Sequence, residues 1–254
     1  MNHPIDLHVH ASTTEMGQAA GAHIGALLRD ALATKDRVRV MLAAAPSQSA
    51  TLEALAAEDF DASRVEFFHM DDYLGLAHDA PQAFGNWLER HFISRLRSPR
   101  FYRIDVTAGP EESAHAYAEL MGEEPFDVVL CGLGVNGHLA FNEPPADFYD
   151  DARARVVELD ETSRRQQVDE GHFPSVDAVP SRAITVTIPR LLNAEHIVCS
   201  VPGAEKADAV LQTLTRDITP EMPGTALHLH EDAHLYVDTD SAPDMAVLTQ
   251  GAQR

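Results

Sequence analysis

The stretch GLGVNGHLAFNEPP, from Gly132 to Pro145, sets three glycines, one imidazole and one carboxylate in a single loop. It follows the apolar run FDVVLC, which ends at Cys131. An imidazole changes charge near neutrality, so His138 can give or take a proton at ordinary pH. Glu143, five positions on, can orient that ring and stabilise its charged form. Together they form the equipment of general acid–base catalysis. A plain glycine loop with a structural histidine is the simpler alternative. A second pair of candidates, Asp71 and Asp72, follows the apolar run VEFFHM. Adjacent acids in a loop are often merely solvated. A carboxylate partly buried at a strand end instead acquires a raised pKa and can act as a base. The expected set is one base that removes a proton and one imidazole that shuttles one.

The elements that must position these groups alternate. Helical periodicity runs over 17–33, with Ala20, Ile24, Leu27, Leu28 and Ala31 on one face and the capping box STTE ahead of it. Strands are expected over 38–43, 65–70, 101–105, 126–131, 183–188, 196–201 and 234–238. Helices are expected near 49–57, 83–96, 112–121 and 204–214. This alternation implies an α/β fold: a mostly parallel, Rossmann-like sheet with helices on both faces, in three layers. There is no repeat, linker or low-complexity tract, so 1–254 reads as one domain. In such sheets ligands bind at the carboxyl ends of the strands. The loops after the strands at 38, 65 and 126 all fall there.

The formal net charge of −21 argues against nucleic acid or an anionic membrane as partner. It also requires a local cationic pocket for any anionic substrate. The chain has only two lysines, Lys35 and Lys206. No apolar run is long enough for a membrane span, and the N-terminus lacks a signal-peptide pattern. Cys131 and Cys199 sit in apolar runs and read as buried free thiols. A cytoplasmic location is the expectation.

FHMDDYLGL and GLGVNGHLAFNEP together resemble the two signature segments of the glucosamine-6-phosphate deaminase family, whose superfamily also contains 6-phosphogluconolactonase. The lactonases carry a Gly-His-Thr-Ala-Ser-type continuation, and GHLAFNEP is similar to the deaminase form. The resemblance runs over about 38–238 and includes the lysine-bearing loop in VPGAEKA. It implies that Asp71 moves a proton between C2 and C1 of an opened sugar. His138 would relay a proton to the ring oxygen, Glu143 would orient His138, and Lys206 would meet a substrate phosphate. It implies no metal and no organic cofactor. Two departures stand out. Many members have Asp where this chain has Asn136, which can hold the ring by a hydrogen bond but adds no charge. The first phosphate loop, commonly Thr-Gly-Gly/Ser-Thr-Pro, is here AAAPSQSATL, without glycine. Ser47, Gln48 and Ser49 could still donate to phosphate at a helix N-terminus.

The expected substrate-binding set is Asp72, Ser47, Gln48, Gly134, Gly137, Lys206 and an arginine of SRRQQVDEGHF, Arg164 or Arg165. That polar segment reads either as an exposed helix or as a lid. Two patterns mimic metal pairs, His8 and His10 in DLHVHAST and His228, His230 and His234 in HLHEDAH, but metal binding is not expected at either.

The leading expectation is aldose–ketose isomerisation with deamination of a small phosphorylated amino sugar, glucosamine 6-phosphate to fructose 6-phosphate and ammonia. The alternatives are a sugar-phosphate lactonase and a non-catalytic sugar-phosphate-sensing domain. The sequence does not decide between a monomer and a homo-oligomer.

Overall fold

A computed structural model describes residues 3–244. Seven strands form one all-parallel sheet: β1 (Asp6–His10), β2 (Val38–Leu42), β3 (Val65–His69), β5 (Arg100–Tyr102), β6 (Phe126–Cys131), β9 (Ala194–Val201) and β10 (Ala233–Asp238), in the order β1-β10-β9-β6-β2-β3-β5. Three more strands, β4 (Asp71–Tyr73), β7 (Ala154–Glu158) and β8 (Arg182–Val186), form a small antiparallel sheet in the order β4-β8-β7. The helices are α1 (Thr13–Thr34), α2 (Ser49–Ala56), α3 (Phe84–His91), α4 (Pro110–Met121), α5 (Glu161–Asp169), α6 (Ile188–Leu192) and α7 (Ala207–Thr215).

The central strands are buried on both faces, so they read as nearly unbroken apolar runs. Alternate residues serve opposite cores. Met41 and Val129 belong to the layer that includes Phe68, Tyr117 and Leu235. Val40, Leu42, Val128 and Leu130 belong to the layer that includes Met16, Ile24 and Leu28 of α1. α1 starts where expected, because Ser12 caps it and accepts from the Glu15 amide.

The chain 183–188, expected as one more strand of the main sheet, instead supplies most of β8, which pairs antiparallel with β4 and β7, and then enters α6. β1, β4 and β7 were not anticipated. β4 has only three residues, and β1 and β7 are partly exposed edge strands with polar side chains. The His8–His10 segment is thus an edge strand. Its two imidazoles stack on Tyr236, and His8 Nε2 lies 3.2 Å from His234 Nδ1. The His228 and His230 rings bond backbone carbonyls of His3, Thr213 and Ala194. Among the described residues no group of three or more His, Cys, Asp or Glu side chains is arranged to hold a metal, and no helix is long and apolar enough to cross a membrane.

Candidate active site

A cleft opens at the carboxyl ends of β2, β3 and β6. Its wall includes Ser47, Gln48, Asp71, Gly134, His138 and Lys206, and α5 closes it with Gln166, Gln167 and the following Glu170.

Asp71 reaches the cleft because the chain changes sheets. After β3, Met70 still bonds Leu42 of the main sheet, while its carbonyl accepts from Val186 of β8. β4 then turns away and leaves Asp71 on the cleft wall, only 6 % exposed. His69 locks this turn from below. Its Nδ1–H donates to the Asp71 carbonyl at 2.9 Å, and its Nε2 accepts from the Ile104 amide at 2.9 Å. Burial pulls the His69 pKa down to about 4, which keeps the ring neutral and this tautomer in place. The Asp71 carboxyl moves the other way. Burial, and then the charge of Asp72, push its pKa well above the usual carboxylate range.

Asp72, expected to bind substrate, does not line the cleft. Its carboxylate accepts from the amides of Tyr73, Phe84 and Gly85 at 2.9, 2.9 and 3.0 Å. The last two belong to the first turn of α3, whose own N-cap, Ala83, has no side chain to offer. Asp72 therefore anchors a helix end, where orphan amides and the helix dipole favour an anion.

His138 packs flat against the backbone at Gly134, where a Cβ would come within 2.4 Å of the ring. Gly137 supplies the left-handed turn between them, with φ of 81°, and faces Met222 rather than the cleft. His138 Nδ1 lies 3.1 Å from Ser163 Oγ and 3.4 Å from Glu143 Oε2. Burial alone would raise the Glu143 pKa. Hydrogen bonding from His138, its charge, and bonds from Ser163 and Asn136 outweigh this and hold it at about 2. An ionised Glu143 fixes the proton of the ring on Nδ1 and leaves Nε2 as the nitrogen able to exchange protons.

Asn136 does not touch the imidazole, contrary to the expected ring contact. Its Nδ2 donates to Glu143 Oε2 at 2.8 Å, and its Oδ1 accepts from the His138 backbone amide at 3.2 Å. The side chain is two residues from His138 across a glycine turn, which directs it back to the loop. It positions the carboxylate, and the carboxylate positions the ring.

SRRQQVDEGHF, read either as an exposed helix or as a lid, contains most of α5, which lines one side of the cleft, but its arginines are not among the cleft residues. Ser163, Gln166, Gln167 and Glu170 recur at helical spacing and form the inward face. Arg164 donates to the Val176 carbonyl at 2.6 Å, and Arg165 pairs with Glu161 on the outer face. Tyr73 Oη donates to Gln167 at 2.6 Å, and the Val135 amide donates to Gln166 Oε1 at 3.1 Å. These bonds dock the helix onto β4 and the glycine loop. Ser163, Gln167 and His69 were missed. The i, i+3, i+4, i+7 spacing of Ser163, Gln166, Gln167 and Glu170 was the available signal.

At the far end, Lys206 is buried in a tight turn after β9, and burial lowers its pKa against the opposing pull of Glu170. Its Nζ lies 3.5 Å from Glu170 Oε1. Gln48 Nε2 donates to the Ser200 carbonyl at 2.9 Å.

The family model described as glucosamine-6-phosphate isomerases/6-phosphogluconolactonase matches residues 11–236. A glucosamine-6-phosphate deaminase of Staphylococcus epidermidis is 32% identical over 72% of this chain and 76% of its own length. One of Exiguobacterium sibiricum is 30% identical over 84% of this chain and 82% of its own. A solved monomeric glucosamine-6-phosphate deaminase superposes with a TM-score of 0.85 at 27% identity, covering 96% of this chain and all of that one. A 6-phosphogluconolactonase of Shewanella baltica shares the fold, with a TM-score of 0.78 at 18% identity over 96% of this chain and all of that one.

Proposed function

The chain belongs to the family of glucosamine-6-phosphate isomerases and 6-phosphogluconolactonases, and within it we propose that the protein isomerises and deaminates a 2-amino-2-deoxy aldose. This is the chemistry that carries glucosamine 6-phosphate to fructose 6-phosphate and ammonia. The observation that supports it most is the pairing of a buried carboxyl, Asp71, with an oriented imidazole, His138, on the walls of one cleft.

In this reading His138 opens the sugar ring. Nε2 passes a proton to the ring oxygen while the anomeric hydroxyl gives one up. Glu143 holds the transient positive charge on the imidazole. Asp71 then takes the hydrogen from C2 of the open chain and returns a proton to C1, while the C2 amine gives up a proton and O1 gains one, so that the aldehyde becomes a hydroxymethyl group and the amine an imine. Water adds at C2 and ammonia leaves, giving the ketose. A carboxyl whose pKa burial has raised is a stronger base than an ordinary carboxylate and holds the proton it takes long enough to return it. His69 and Asp72 act indirectly, by fixing the backbone around Asp71 and the helix beside it.

The test is ammonia release from glucosamine 6-phosphate and from glucosamine, run beside hydrolysis of 6-phosphogluconolactone. Ammonia release without lactone hydrolysis is expected. Lactone hydrolysis without ammonia release would overturn the proposal.

A further inference from the structure

Among the described residues Lys206 is the sole Lys or Arg lining the cleft, and the carboxylate of Glu170 lines it too. Lys206 Nζ and Glu170 Oε1 are 3.5 Å apart, with side chains only 3% and 18% exposed. Glu170 is no loose surface group, since Gln166 Nε2 donates to its Oε1 at 2.7 Å while Gln166 Oε1 accepts from the Val135 amide. It also stands at the carboxyl end of α5, where the helix dipole disfavours an anion. A carboxylate held there, beside the cleft's lysine, cancels the charge that would receive a phosphate.

The rest of this end of the cleft agrees. Pro46 has no amide hydrogen, the amides of Gln48 and Ser49 close a turn onto the carbonyls of Ala45 and Pro46, and the Gln48 side chain is spent on Ser200. Arg164 and Arg165 are engaged elsewhere. Among the described residues, the outer hollow that shares Gln166 and Glu170 with the cleft is lined by Glu161, Asp169 and Glu205 against one cation, Arg165. Lys206 thus has the carboxylates of Glu170 and Glu205 for neighbours.

Resting on the amino-sugar reading above, we infer that Glu170 is a specificity residue: paired with Lys206, it adapts the cleft to an amino sugar whose far end is a neutral hydroxyl, in place of a phosphate. The pairing suits that group chemically. A hydroxyl both donates and accepts, so it can bond Glu170 and Lys206 together, whereas a phosphate dianion offers only acceptors. Glu170 then plays a role in choosing substrate that is separate from the proton transfers of Asp71 and His138.

The experiment compares the full chain with Glu170→Gln, an isosteric change that keeps an acceptor for Gln166. kcat/KM for ammonia release is measured on glucosamine and on glucosamine 6-phosphate, and binding of inorganic phosphate is measured by calorimetry. The wild type is expected to favour glucosamine. Glu170→Gln should shift the ratio toward the phosphorylated sugar by about tenfold or more and tighten inorganic phosphate by a similar factor, the scale of removing one nearby like charge. A wild type that favours the phosphorylated sugar by tenfold, or a ratio and phosphate affinity unmoved by Glu170→Gln, overturns the inference. If neither sugar releases ammonia, the deamination reading falls by itself. The phosphate titration still decides on Glu170, because tenfold tighter binding in the variant supports its role and equal binding overturns it.

Discussion

The two ends of the cleft differ in how they are built. At the chemical end, His138 and Glu143 share one loop and are tied together through Asn136 and, from α5, Ser163, while Asp71 stands on a second segment whose backbone His69 fixes. At the far end, Lys206 and Glu170 come from the turn after β9 and the end of α5, and meet only across the cleft. Proton transfer demands fixed geometry, and the first end is over-determined by local bonds. Substrate choice tolerates change, and the second end is joined across the cleft by one ion pair, with Glu170 steadied by Gln166. In the proposed reading, the segments that move protons keep their residues while Glu170 at the end of α5 sets what the site admits.

The sharpest way to break the comparison is Asp71→Asn. It should lower turnover by about 10²-fold or more, the usual contribution of a positioned base, on whichever sugar is turned over. A loss confined to one sugar would mean that Asp71 reads the substrate instead of reacting with it. Glu143→Gln comes next. Without the ionised carboxylate the imidazolium loses its counter-charge, so kcat should fall by roughly tenfold or more and the imidazole limb of the pH–rate profile should move to lower pH. Steady-state kinetics across pH check both. Asn136→Asp sets a second carboxylate against Glu143 and should favour a protonated ring, moving the same limb to higher pH. Its effect should not add to that of Glu143→Gln, because the two share a partner.

Smaller effects test the supports. Asp72→Asn removes one of the two causes that raise the Asp71 pKa and leaves the larger one, burial. The acid limb of kcat/KM should therefore move to lower pH without reaching the ordinary carboxylate range. The same change weakens the anchor of α3 and should cost about 1–2 kcal/mol in denaturant unfolding. Arg165→Ala, on the outer face of α5, should stay within about 0.5 kcal/mol of wild-type stability. Its activity should also be unchanged, where an arginine bound to substrate would have produced a rise in KM.

The same contrast explains what the sequence discloses. α1, β2, β3, β6, β9 and β10 are long or apolar enough for their period to show, and the glycine loop announces itself because Gly134 and Gly137 are demanded by the close ring and the left-handed turn. The antiparallel sheet is hidden, because β4 is three residues long and looks like the loop it interrupts. Asp72 looks like a site residue, since capping through Phe84 and Gly85 spans a stretch of chain whose fold the sequence does not show. Arg164 and Arg165 drew attention by charge. Ser163, Gln167 and Glu170 carry the inward face of α5, and only the helical period of the segment could have singled them out.

The most direct test of the central claim follows the C2 hydrogen of the amino sugar by proton NMR, in D2O, with wild type and Asp71→Asn. The account predicts that the wild type removes this hydrogen in step with ammonia release, on glucosamine or glucosamine 6-phosphate, and that Asp71→Asn leaves it in place. An Asp71→Asn enzyme that removes the C2 hydrogen at the wild-type rate would contradict it.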